Sequence, residues 1–141
     1  MAETCFWAVD RDLEAIGPAA DALRKTLRDV LDEEGLACVE LAVVEALTNA
    51  ILFGISATGK PVELFLEIDE RQVVVEIGDE TQPDASLFKD AGLERLDFDP
   101  DDRQTLPESG RGLTLIVLSM HEVSFRTVGD QVRLRLVRNR T

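Results

Sequence analysis

The stretch LACVELAVVEALTNAILF, residues 36–53, constrains the fold more than any other part of the chain. Its spacing predicts a helix, and from Leu41 to Phe53 only Glu45, Thr48 and Asn49 are polar. At ~100° per residue those three fall within about 100° of one another. A narrow polar stripe on an otherwise apolar helix must face something polar, because a buried, unpaired carboxylate costs several kcal/mol. Two explanations stand level on this pattern alone. Glu45 snorkels, or pairs with an arginine of a neighbouring sheet. Alternatively, Glu45 and Asn49 line a cleft that holds a cation, since a carboxylate and an amide oxygen are hard ligands suited to Mg²⁺.

The elements around that helix follow from changes of period. Residues 4–9 (TCFWAV) read as a short strand, with Asp10 or Asp12 as a cap for the helix after it. Apolar residues from Leu13 to Leu31 recur at helical spacing; Gly17-Pro18 interrupts them, so Pro18 is an alternative helix start. Gly35 is expected to end this helix and Gly54 the next. VELFLEI (62–68) and VVVEI (73–77) flank the turn Asp69-Glu70-Arg71-Gln72 and predict a hairpin. Residues 80–109 are acidic, contain three prolines and lack periodicity, and so long an irregular stretch is usually functional or mobile. Residues 113–120 predict a short helix, and two strands follow, about 122–128 and 132–137, joined at Gly129-Asp130. The order β-α-α-β-β-loop-α-β-β predicts an α+β, two-layer sandwich, a mixed, mostly antiparallel sheet with helices on one face. With 141 residues the chain is expected to form a single domain, 1–141.

Composition excludes more than it identifies. The formal charge of -13 repels a phosphate backbone, so direct nucleic-acid binding is not expected. No apolar run approaches the ~20 residues of a membrane span, and no secretory leader is evident at the N-terminus. Cys5 and Cys38 read as two reduced thiols, which together with the missing leader gives a cytoplasmic expectation. The basic ending RTVGDQVRLRLVRNR reads as a solvated edge strand in preference to a basic site. Lone His121, at a helix-to-strand junction, reads as structural.

Two further places can carry chemistry. Asp79 closes the run VVVEIGD; a carboxylate at a strand end can accept hydrogen bonds from an exocyclic amine, and an ordinary turn aspartate explains it as well. Ser109-Gly110-Arg111-Gly112-Leu113 precedes a helix, where glycines allow close backbone approach and the first N–H groups favour phosphate. A helix-entry turn also accounts for that GxG.

In combination these parts are more specific. ExxxN on a helix, an aspartate at a strand end, a long loop and GxGL opening a helix together resemble the Bergerat (GHKL) ATP-binding fold. The likeness is strongest to its small bacterial branch, the anti-sigma factor serine/threonine kinases: ELAVVEALTNAI resembles their asparagine box, SGRGLTLIVLSMHEVSF their second glycine box, and VVVEIGDETQPD, more loosely, their aspartate box. That resemblance implies ATP and Mg²⁺ as cofactors. It implies Glu45 as general base, Asn49 as the Mg²⁺ ligand and Asp79 as acceptor of the adenine amine. Thr81 would lie beside the base, and Gly110, Arg111, Gly112 and Leu113 against the phosphates, with residues 80–109 as the lid. The implied substrate is a STAS-type anti-sigma factor antagonist, with a sigma factor or another regulator as a further partner and a homodimer as the common assembly. The chain departs from the family pattern where relatives often carry glycine (here Thr81), phenylalanine (Asp84), histidine (Phe53) and threonine (Arg135). The changed aspartate box motivates the alternative: a degenerate module that regulates by protein binding without kinase activity.

Overall fold

The computed structural model describes residues 2–53, 59–79, 115–129 and 131–140. Strand β1 is Glu3–Val9; a 3₁₀ turn, Leu13–Ala15, leads into α1, Ile16–Leu27. Helix α2 is Glu33–Phe53, strand β2 is Val62–Ile68 and β3 is Gln72–Asp79. Residues 115–119 are helical, and β4 (Glu122–Val128) and β5 (Gln131–Asn139) close the described chain. The five strands form one sheet in the order β1-β2-β3-β5-β4, every neighbouring pair antiparallel.

Alternation along the strands divides the sheet into two faces. Val9, Val62, Leu64, Leu66, Val73, Val75, Ile77, Leu134 and Leu136 point to the helices and are almost fully buried with Leu23, Leu27, Val39, Val43, Leu47 and Ile116. This is the expected α+β sandwich, with the described helices on one face. The opposite face carries the row Phe6, Phe65, Glu76, Arg135 and Ser124, one residue from each strand in register.

Local signals explain the boundaries. Asp12 accepts the N–H of Glu14 and starts the 3₁₀ turn. Asp32 accepts the N–H of Gly35 at 2.7 Å, so α2 begins before that glycine. Gly35 therefore lies inside the first turn of α2 and does not end α1, which stops at Leu27. The Asp32 side chain, by satisfying one of the first free N–H groups, outweighs the usual helix-ending role of glycine. Gly54 and Asp130 lie outside the described residues.

Two other expectations are corrected. Strand β5 is not an edge strand; it lies between β3 and β4, and β4 is the edge. Its arginines are tolerated there because Glu76 of β3 faces them. Second, one apolar run does reach spanning length: Glu33–Leu52 has a mean hydropathy of 1.7, long and apolar enough to cross a membrane by length and composition. In the sequence Glu40 and Glu45 divide this stretch into shorter apolar runs. In the fold, much of that apolarity is used for packing: Val39, Ala42, Val43, Ala46, Leu47 and Ala50 of α2 are all buried in the core.

Candidate functional site

The polar stripe of α2 resolves into residues with different fates. Thr48 Oγ1 donates to the Val44 carbonyl of its own helix at 2.7 Å, so its hydroxyl is satisfied internally. Glu45 and Asn49 are half-buried, and among the described residues neither side chain has a hydrogen bond or ion-pair partner. Four residues apart, they stand one above the other on the helix. They flank the buried face, while Leu41 and Leu52 on the same outer side are exposed. Glu45 is therefore not paired with an arginine of the sheet. The sheet arginines go elsewhere: Arg126 donates to Glu76 through Nε (3.0 Å) and Nη2 (2.8 Å), with Arg133 at 3.5 Å and Arg135 at 3.9 Å.

Asp79 is the last residue of β3, opposite Val132 of β5. Its carboxylate has no exposed surface, and Arg11 donates to both oxygens, through Nη2 to Oδ1 and Nη1 to Oδ2. It is thus more than a turn aspartate: a buried carboxylate needs such partners. Arg11 reaches it because of sheet register. Val9 pairs with Val62, and the next β2 residue, Glu63, pairs with Gly78, so the ends of β1 and β3 come together across the start of β2. The same guanidinium donates to the carbonyls of Lys60 (2.8 Å) and Ala50 (3.4 Å). Ala50 follows Asn49 in α2. One arginine therefore joins the α2 turn that carries Asn49 to the strand end that carries Asp79.

Arg11 was not among the candidates from sequence. Nothing local marks it, since its role arises from pairing across two strands. Conversely, His121 has the structural place expected: its Nδ1 accepts the N–H of Asn139 at 2.9 Å, and its own N–H donates to the Val137 carbonyl. Thr81, Gly110, Arg111, Gly112, Leu113, Asp84 and the 80–109 segment lie outside the described residues.

Among the described residues no three His, Cys, Asp or Glu side chains cluster as a metal cage. The free amide of Asn49 and carboxylate of Glu45 form instead a small oxygen-rich pair. That chemistry suits Mg²⁺, which keeps waters and takes few protein ligands beside substrate phosphates.

The family model described as "Histidine kinase-like ATPase domain" matches residues 9–137, and the chain belongs to that family, the GHKL ATPases. ATP is the nucleotide that such membership implies. Among solved structures, the chain is similar to the crystal structure of the RsbU and RsbW domains of Rv1364c from Mycobacterium tuberculosis. The TM-score is 0.68 at 14% identity, covering 97% of this chain and 32% of that one. At that identity the likeness is one of fold, and this chain spans about a third of its neighbour's length. No curated protein sequence matches the chain.

Proposed function

We propose that the protein is an ATP-dependent serine/threonine kinase of the anti-sigma factor type, acting on a STAS-domain antagonist in a partner-switching system. The observation that carries this is the unpaired Glu45–Asn49 couple, one turn apart on α2, joined through Arg11 to the buried Asp79. Membership of an ATPase family and the fold shared with part of the RsbU and RsbW domains of Rv1364c support it.

In this reading Asn49 would hold Mg²⁺ through its amide oxygen, and Asp79 would accept the amine of the adenine. Bound Mg·ATP supplies the γ-phosphoryl group and the charge neutralisation that its transfer needs. Glu45 takes the proton of the attacking serine or threonine hydroxyl, whose oxygen forms the new bond to phosphorus. The bond to the bridging oxygen breaks, and its electron pair leaves with ADP. The half-buried position of Glu45 suits that role, because the carboxylate is accessible and uncommitted. A single chain, 1–141, acting as one domain in the cytoplasm completes the proposal, with a sigma factor or other regulator as the second partner and a homodimer as the assembly.

The deciding experiment incubates the protein with Mg·ATP and a candidate STAS antagonist and weighs the antagonist by mass spectrometry. One added phosphate, lost with Glu45→Gln, is the expected result. No transfer to any cognate antagonist would remove the kinase assignment. One observation favours a second reading, a binding module without kinase activity: Asp79 is already engaged by Arg11. Calorimetry separates the two, because sub-millimolar Mg·ATP binding that disappears in Asn49→Ala contradicts the inert module.

A further inference from the structure

Arg11 occupies both oxygens of a carboxylate that has no exposed surface. If Asp79 is also the group that accepts the base amine, that amine reaches it only when the guanidinium gives way, because the carboxylate keeps acceptor sites but no exposed surface. We infer that Arg11 is a built-in competitor for the base-recognising carboxylate, so that the base enters by exchange with it; this rests on the nucleotide reading above.

The two partners are not held alike. Asp79 is held at the end of β3, paired with Val132 of β5, and the residue before it, Gly78, is paired with Glu63 of β2. Arg11 lies between the end of β1 and the 3₁₀ turn, outside both, and its side chain is 17% exposed. It also has partners to retain after leaving the carboxylate: Nε donates to the Lys60 carbonyl and Nη1 to that of Ala50. A swing about the Lys60 contact takes the guanidinium off the Asp79 carboxylate without stranding the arginine.

The competition is unequal. A bidentate, charge-assisted pair is stronger than the hydrogen bond of a neutral amine. Apparent affinity then falls by the fraction of molecules in which the carboxylate is open. The effect belongs to the base end alone. A ligand that has the phosphates and no base gains nothing from release of Asp79.

The test is calorimetry on the full chain with Mg·ATP and with Mg·tripolyphosphate, which has the anionic tail and no base. Arg11→Lys keeps the positive charge and loses the bidentate grip. It is expected to tighten ATP by roughly three- to tenfold while leaving tripolyphosphate unchanged, the range following from a competent fraction of about 10–30%. Arg11→Gln tightens ATP further if it folds, and circular dichroism checks that; Arg11→Lys decides the matter if it does not. Equal or weaker ATP binding by Arg11→Lys, with Asn49→Ala still abolishing wild-type binding, overturns the competitor and leaves the nucleotide reading intact. Equal tightening of ATP and tripolyphosphate also overturns it. No ATP binding by any of these proteins overturns both.

Discussion

Glu76 lies on the face of the sheet away from the helices, 8% exposed, with the guanidinium groups of Arg126, Arg133 and Arg135 around it. Arg133 also stacks over Phe65, 4.1 Å from the ring centroid, and Phe65 packs on Phe6 at 5.1 Å. One carboxylate thus offsets three cations. Glu76→Gln keeps the shape and removes that charge, so it is expected to cost about 2 kcal/mol in urea unfolding, the penalty of uncompensated, partly buried charge. Arg126→Ala, by contrast, is expected to cost under about 1 kcal/mol, because Arg126 is 53% exposed and two arginines still face Glu76. At this scale the sequence was informative wherever a residue type did local work. Glu45 and Asn49 stood out because they break an apolar helix, and Asp79 because it ends an apolar strand. Arg11 and Glu76 did not stand out, since the partners that give them meaning are brought together only by strand pairing.

The start of α2 shows two local rules in opposition. A glycine that reads as a helix stop sits in the first turn because Asp32 caps it. A Cβ at Gly35 would lie 3.0 Å from the capping oxygen, so cap and methyl contend for one place. Asp32→Ala is expected to cost about 1 kcal/mol. Gly35→Ala in that background is expected to restore up to about 1 kcal/mol through helix propensity. In the native background the same change restores less, and urea unfolding of the four proteins exposes the non-additivity. Misplacing this boundary was a matter of which signal wins, whereas misplacing β5 at an edge had another cause. Alternating arginines mark solvent exposure only when no carboxylate from a neighbouring strand faces them.

The β2–β3 turn carries one pH-dependent contribution to stability. Asp69 Oδ1 accepts the N–H groups of Arg71 (2.7 Å) and Gln72 (2.8 Å). Those two bonds, Arg71 first, hold the carboxyl below its ordinary value, with the charges of Arg71 and Arg140 helping. The folded state therefore binds the proton less readily than the unfolded chain. The stabilisation is complete above the unfolded value and is lost as pH falls through the folded one, in a window below about pH 4. Asp69→Ala is expected to be less stable than wild type at neutral pH, with the gap in denaturation midpoint closing as acid protonates Asp69. A gap independent of pH would place the effect in the turn backbone.

For the whole molecule, the two-layer order was legible because the change from helical to alternating period is a property of each segment alone. The sheet order β1-β2-β3-β5-β4 was not, because it depends on where segments far apart in sequence meet. That order brings the ends of β1 and β3 under α2, and so makes nucleotide binding a test of the assembled fold. A ligand that binds only the folded state stabilises it by about 2.7 kcal/mol at a hundredfold excess over its dissociation constant. The charge of -13 complicates the measurement, since Mg²⁺ alone relieves self-repulsion and raises the melting temperature. The informative quantity is therefore the further rise when ATP is added at fixed Mg²⁺. Wild type is expected to show a rise of several degrees. Asn49→Ala is expected to lose most of it, since the proposed Mg²⁺ ligand is gone. Glu45→Gln is expected to keep it, since the role proposed for Glu45 is on the attacking hydroxyl and not on the bound nucleotide. Equal losses in both variants would mean that Glu45 shapes the nucleotide pocket, and its role as a base would have to be given up.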